Sequence, residues 1–543
     1  MKQKTKFIFV IGGVLSGVGK GVTAASIGRI FKNNGFDVSA IKIDPYINVD
    51  AGTMNPVEHG EVFVTEDGDE TDQDLGNYER FLDTDLLSTN YMTTGRVYLS
   101  VIEKERSMGY KGRCVQVVPH IPMEIIHRIK TAAEKTKAEI MVIEIGGTVG
   151  EYENILFLDA ARMMKLDNPD DVAFVLVSYL PVPSHLGEMK TKPTQHAART
   201  LNNSGIQPDF IIARGKHELD KPRREKLAFF CWLQSKEDVI SAPDVDSIYE
   251  IPAVLEKQNF GKLLAKRLKM KLNRQNKSGE WNKFITQMKN PKKTIKVAVV
   301  GKYFATGDYT LSDSYISVIQ AVKHAAWSVG AEAEMTWLDS EDYEKDKNAV
   351  KNLSQYDALI VPGGFGTRGI EGIISAIKYA RENSLPYLGL CYGMQLATIE
   401  FARHVLGIKD AHTVEVNPKT KNPIIHINPM QAQNVSKNRY GGTMRLGAYD
   451  CVLKANTKTA QAYGEKKISE RHRHRYEFNN DYKKAIDDAG LKVVGVNEEK
   501  DLVEIVELSN HPFFVGTQFH PELKSRPTSP HPLFVGLMKA ALD

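Results

Sequence analysis

Cysteine is scarce in this chain. Its 543 residues hold four, Cys114, Cys231, Cys391 and Cys451, so scattered that neither a disulfide framework nor a metal-ligand spacing can be built from them. A reducing, cytoplasmic setting is therefore expected. No run of about 18 apolar residues occurs, so no membrane span is expected. Lys2, Lys4 and Lys6 before Phe7–Ile11 read as the approach to a first strand and not as a leader, because the apolar run is short and glycines follow. Excess charge is also lacking. A net charge of +4 from 71 basic and 67 acidic residues leaves no broad footprint for nucleic acid. Neither an internal repeat nor a low-complexity tract is evident.

What is present is an ordinary soluble composition, 42% apolar and 25% charged, at a length that exceeds one hydrophobic core. Two α/β domains are expected. Residues 1–268 and 295–543 each alternate apolar runs with amphipathic segments, and the Lys-, Asn- and Gln-rich stretch 269–294 reads as a linker.

In the first half, Phe7–Ile11 leads into Gly12-Gly13-Val14-Leu15-Ser16-Gly17-Val18-Gly19-Lys20-Gly21 and then a helical pattern. Strand, glycine loop and helix make a phosphate cradle, with Lys20 placed to reach the terminal phosphates. The loop departs from the common P-loop in spacing, and Gly21 stands where a hydroxyl normally meets magnesium. In this it resembles the dethiobiotin-synthetase subgroup. Lys42 and Asp44 close a second strand, at the end where open parallel sheets bind ligands. The acidic stretch 66–74 reads mostly as a solvated face, with Asp74 a candidate for the missing magnesium contact. Glu144, closing the apolar strand Ile140–Ile145, has the form of a Walker-B acid. The loop Lys190-Thr191-Lys192-Pro193-Thr194-Gln195, with Lys226 on a later helix, suits a polyphosphate.

In the second half, Val361-Pro362-Gly363-Gly364 offers backbone donors for an oxyanion, and Gly389-Leu390-Cys391-Tyr392-Gly393 turns sharply from strand to helix at a thiol. His520 and Glu522, two residues apart, point to one side of an extended chain, where the carboxylate orients the imidazole as base to the thiol. These motifs resemble a class I, triad-type glutamine amidotransferase domain of flavodoxin-like fold. The basic run 471–475 alone reads as a solvated charge patch.

Taken together, these stretches resemble the CTP synthase family over nearly the full length. The resemblance implies two doubly wound α/β domains and ATP-dependent amination of UTP to CTP, a ligase reaction of pyrimidine biosynthesis, with ammonia released from glutamine or taken free. It implies Cys391, His520 and Glu522 as the triad. ATP is expected on Gly17, Val18, Gly19, Lys20, Gly21, Asp74, Asp244 and Val245, and Mg2+ on Asp74 and Glu144. UTP or feedback CTP is expected on Ser16, Lys42, Glu151, Tyr152, Glu153, Lys190, Thr191, Lys192, Pro193, Thr194, Gln195 and Lys226. Glutamine is expected on Gly364, Tyr392, Gly393, Met394, Gln395, Glu415 and Arg475. The resemblance further implies GTP as allosteric activator and a homotetramer formed from dimers, with no nucleic-acid or membrane partner. An enclosed ammonia path is a physical requirement, because ammonia protonates in water. Pro122 and Pro243 depart from the family's pattern and imply altered local packing or nucleotide affinity. The competing readings are a cobyrinic acid a,c-diamide synthase-like amidoligase and a structural protein that keeps the fold without the chemistry.

Overall fold

The computed structural model describes residues 4–13, 15–55, 59–184, 187–272, 277–302, 305–306, 309–310, 312–427 and 442–543. The chain forms two compact units, Met1–Asp50 with Asp74–Asn282, and Ala51–Gln73 with Lys283–Asp543. This differs from the linear partition expected, because the short segment 51–73 leaves the first half of the sequence and joins the second unit.

The first unit is built on a seven-stranded, wholly parallel sheet in the order Tyr91–Thr93, Val38–Asp44, Ile140–Ile145, Lys6–Gly12, Val172–Tyr179, Phe210–Gly215, Val239–Pro243. Its central strands are buried along almost their whole length, which is why they read as unbroken apolar runs without alternation. Pro243 ends the edge strand, where a missing N–H costs no ladder bond. Pro122 is buried in the helix Val117–Thr136, close after non-helical Val118. Within the expected linker lies a helix, Gly279–Lys289. In the first unit its Trp281 packs on Phe81 and Tyr249 and lies under the Arg29 guanidinium.

The second unit holds a nine-stranded mixed sheet. Five parallel strands run in the order Ala331–Asp339, Lys293–Gly301, Ala358–Val361, Tyr387–Leu390, Phe514–Thr517. Four antiparallel strands, Leu502–Leu508, Leu491–Asn497, Arg445–Leu453 and Lys467–His474, extend it.

Against this extension lies the hairpin Val62–Val64/Glu70–Asp72, and here two expectations are corrected. The acidic stretch is not mostly solvated, since Glu70 and Asp72 are buried and Glu66 pairs with Arg471 at 2.8 Å and Lys524 at 3.3 Å. Nor is the basic run a solvated patch. Arg471 is 0% exposed and also donates to the Val64 carbonyl, while Arg473 pairs with Glu70 at 2.8 Å. The two runs cover each other, so each hides the charge that made the other look wet. Arg471→Met is expected to destabilise the second unit by about 2 kcal/mol, discounted because Glu66 retains some access to water. Denaturant unfolding monitored against the unsubstituted protein checks this.

Candidate functional site

The second unit's site begins at Cys391, which sits between the strand Tyr387–Leu390 and the helix Tyr392–His404 with φ 48° and ψ −94°. A non-glycine residue held there stores about 1–3 kcal/mol and needs surroundings that over-determine it. Its N–H donates to the Thr517 carbonyl at 2.7 Å. Gly393 is required beside it, because a methyl group there would stand 2.3 Å from the Val361 oxygen. The tight turn therefore follows from close approach of three strands' ends to one helix start.

His520 Nδ1–H donates to Glu522 Oε1 at 2.7 Å. The two meet through the short 3-10 turn Pro521–Lys524 and not, as expected, along extended chain. Burial works against the imidazolium, yet the Glu522 carboxylate and the Cys391 thiol outweigh it and hold His520 well above its ordinary value. Its Nε2 is buried, and Cys391 adds both charge and a hydrogen bond to what keeps the ring protonated. Gly363 packs against the ring, where a methyl group would lie 2.7 Å from Cε1. The imidazolium thus persists to higher pH than in an ordinary histidine. Glu522→Gln removes its largest support, so the alkaline limb of the glutaminase pH profile is expected to move to lower pH, with a roughly 10-fold or greater loss of rate at neutral pH. Initial rates across pH check the shift.

A cavity of about 760 Å³ opens on Cys391, Gly363, Gly364, Tyr392, Gln395, Glu415, Arg475 and His520. Of the residues expected to hold glutamine, Gly393 and Met394 do not line it and are buried in the helix. Glu415 accepts from the Gly366 N–H at 3.0 Å, and Arg475 donates to Thr443 Oγ1 at 3.0 Å. Lys302 escaped sequence reading. It follows a strand's carboxyl end, lies over the Tyr392 ring and donates to the Gly366 carbonyl at 2.7 Å, so that it braces the strap carrying Gly363 and Gly364. Burial pushes it down to about 8, against the pull of Glu415 and Glu344.

The first unit's site gathers at the carboxyl ends of its strands. Lys20 opens the helix Lys20–Asn33 after left-handed Gly17 and Gly19, and its Nζ donates to the Gly147 carbonyl at 2.8 Å. Burial lowers Lys20, with Glu144 opposing. Lys42 pairs with Asp74, with Glu144 at 3.2 Å and with Asp44 at 3.7 Å. Tyr78 donates to Glu144. Burial would raise Asp74, but Lys42 more than offsets it and the carboxyl stays low, whereas Glu144 and Asp44 are raised by burial despite Lys42. Gly21 has a spatial reason. A methyl group there would stand 2.2 Å from Asp74 Oδ1, so the carboxylate fills the place where other P-loops carry a hydroxyl.

The donor set fits a magnesium ion. Two hard carboxylates, Asp74 and Glu144, converge on the Lys42 ammonium, the kind of donor a hard cation takes, while no group of three or more His, Cys, Asp or Glu that could hold a metal ion occurs among the described residues. Ser16 and Gly17 are exposed, while Val18 is buried. Thr191 precedes the helix Lys192–Asn203, with Pro193 in its first turn. Thr194 shares a hydrogen bond with Ser178, and Gln195 donates to Thr191 Oγ1. Lys190 pairs with Glu188 at 2.7 Å, and Lys192 and Lys226 are exposed. Glu151, Tyr152 and Glu153 are exposed, with Glu151 accepting from Thr148. Asp244 accepts from Arg214 just past the edge strand, followed by half-buried Val245.

Comparison with known proteins bears on both sites. Residues 6–270 match the family described as CTP synthase N-terminus, and residues 310–540 match glutamine amidotransferase class-I. The CTP synthase of Herpetosiphon aurantiacus is 50% identical over 540 residues, 99% of this chain and 99% of that one. The chain belongs to the CTP synthase family. The CTP synthase of Clostridium kluyveri is 48% identical over 542 residues, 100% of this chain and 99% of its own. Among solved structures, the glutaminase domain of Trypanosoma brucei CTPS with bound acivicin is 36% identical, covering 46% of this chain and 94% of that domain, with a TM-score of 0.42. The thiol, imidazole and carboxylate lie in the part matched by the glutamine amidotransferase model, and the lysine and carboxylate cluster lies in the part matched by the CTP synthase N-terminus.

Proposed function

We propose that this chain aminates UTP to CTP with ATP, taking ammonia from glutamine or from solution. Residues 1–268, apart from the segment 51–73, carry the synthetase chemistry, and 295–543 carry the glutaminase, with 269–294 between them. The observation that supports this most is the pairing in one chain of a buried Cys391–His520–Glu522 constellation with a Lys20–Lys42–Asp74–Glu144 cluster.

In the glutaminase, Cys391 attacks the glutamine amide, His520 hands a proton to the departing nitrogen, and Gly363 and Gly364 donors hold the oxyanion. Arg475 receives the α-carboxylate. In the synthetase, Lys20 and Lys42 offset charge as phosphate moves from ATP to the uracil 4-oxygen, which makes it a leaving group. Asp74 and Glu144 are the residues that would hold magnesium, which would supply further charge neutralisation for the phosphates. Ammonia then displaces phosphate, and it must do so before water protonates it. The loop 190–195 with Lys226 grips the pyrimidine triphosphate, and CTP returns to the same grip as inhibitor beside Glu151, Tyr152 and Glu153. GTP activates, and the chain assembles as a homotetramer. No helix among the described residues is long and apolar enough to cross a membrane. A cytoplasmic setting goes with the family reading, and the four free cysteines suit its reducing conditions.

Incubation with UTP, ATP, magnesium and glutamine tests the reading. CTP absorbance is expected to grow, and its absence in folded protein overturns the assignment.

A further inference from the structure

Behind the nucleophile lies a residue that no step above uses. Gln518 is wholly buried at the end of the strand Phe514–Thr517, and its backbone N–H donates to the Glu504 carbonyl at 2.8 Å. Its side-chain Nε2 stands 3.6 Å from Cys391 Sγ, hydrogen-bond distance for the larger sulfur atom. The orientation of this amide is fixed by a second one. Gln395 Nε2 donates to the Tyr476 carbonyl at 3.1 Å and to Gln518 Oε1 at 3.3 Å. With its oxygen claimed by Gln395, the Gln518 amide can present only N–H to the sulfur.

We propose that Gln518 is a fourth catalytic residue of the glutaminase, an N–H donor to the thiolate of Cys391. This rests on the glutaminase reading of that thiol. His520 and Gln518 divide the work. The imidazolium balances the sulfur's charge and then moves its proton to the leaving nitrogen, whereas an amide cannot titrate and remains a donor throughout. When water adds to the thioester carbon and the C–S bond breaks, the electron pair returns to sulfur, and the Gln518 donor is already in place to receive it. Gln395, which also lines the cavity, orients that donor through its own amide.

The test compares Gln518→Met and Gln518→Glu with the unsubstituted chain. Alkylation of Cys391 by iodoacetamide is followed across pH by mass spectrometry of its peptide, which separates it from exposed Cys114. Loss of the donor is expected to move the alkylation profile to higher pH and to lower the glutaminase kcat about five- to tenfold with KM little changed. Gln518→Glu, which sets a carboxylate against sulfur, is expected to move the profile further. Ammonia-dependent CTP formation should stay at the unsubstituted rate and reports folding. If either variant fails that control, Gln395→Leu leaves Gln518 present but frees its amide to turn, and a shift in the same direction is expected. An alkylation profile unchanged in the folded variants overturns the proposal. Alkylation needs no glutamine turnover, so an unsubstituted protein without glutaminase activity would sink the functional reading while the profiles still decide the role of Gln518.

Discussion

Cys391→Ala is expected to lower glutamine-dependent CTP formation by about 10³-fold or more while leaving ammonia-dependent formation intact. The size follows from what is removed. Without sulfur there is no thioester, and His520, held as an imidazolium by Glu522, has no nucleophile to serve. The selectivity follows from where Cys391 sits, in a turn whose contacts lie within the second unit, between the strands that end at Leu390 and Thr517. Alanine suits the position less well than glycine because φ is positive, but cysteine already bears the same constraint, so little new strain arises. CTP formation measured with each nitrogen source checks both halves of the expectation. Loss of the ammonia-dependent reaction in a folded variant would contradict the division of labour.

Lys20→Met should produce the complementary pattern. Synthesis from either nitrogen source is expected to fall by about 10²–10³-fold, because a half-buried ammonium at developing phosphate charge acts where water screens it only in part. Basal glutamine hydrolysis should remain measurable, since the hydrogen bond of Lys20 to Gly147 and the charges that act on it, Glu144, Lys42, Asp74 and Glu151, all belong to the first unit. Methionine keeps the unbranched stem and removes the terminal ammonium, with its charge and its hydrogen bond to the Gly147 carbonyl. Parallel assays of CTP formation and glutamate release read the split. Equal loss of both activities would mean that Lys20 supports the fold and not the phosphates.

The elements that were legible in the sequence are those whose signal is local. Continuous runs such as Phe7–Ile11 and Ile140–Ile145 announced buried parallel strands, and the glycines beside Lys20 and Cys391 announced tight turns before helices. What could not be read depends on distant partners. Glu66 looked solvated because Arg471, which covers it, lies 405 residues away. The helix Gly279–Lys289 was hidden by a polar surround, although its Trp281 is buried. His520 and Glu522 were paired for the wrong local reason, since a 3-10 turn and not an extended strand brings them together. Tyr78, Lys302 and Gln518 carry no motif. Each takes its meaning from an atom elsewhere, Glu144, the Gly366 carbonyl and Cys391 Sγ.

The absence of a hydroxyl at Gly21 is instructive in the same way. On paper it weakened the phosphate-loop reading, yet in space the position is pressed against the Asp74 carboxylate, which comes from another helix start.

The central claim is that nitrogen released at Cys391 becomes the 4-amino group of CTP. Glutamine labelled with ¹⁵N in its amide, supplied with UTP, ATP and magnesium, tests this directly when the CTP formed is analysed by mass spectrometry. The account predicts one labelled nitrogen per CTP in the unsubstituted protein and none in Cys391→Ala. Glutamate release without label in CTP, or label entering CTP in the absence of the thiol, would contradict it.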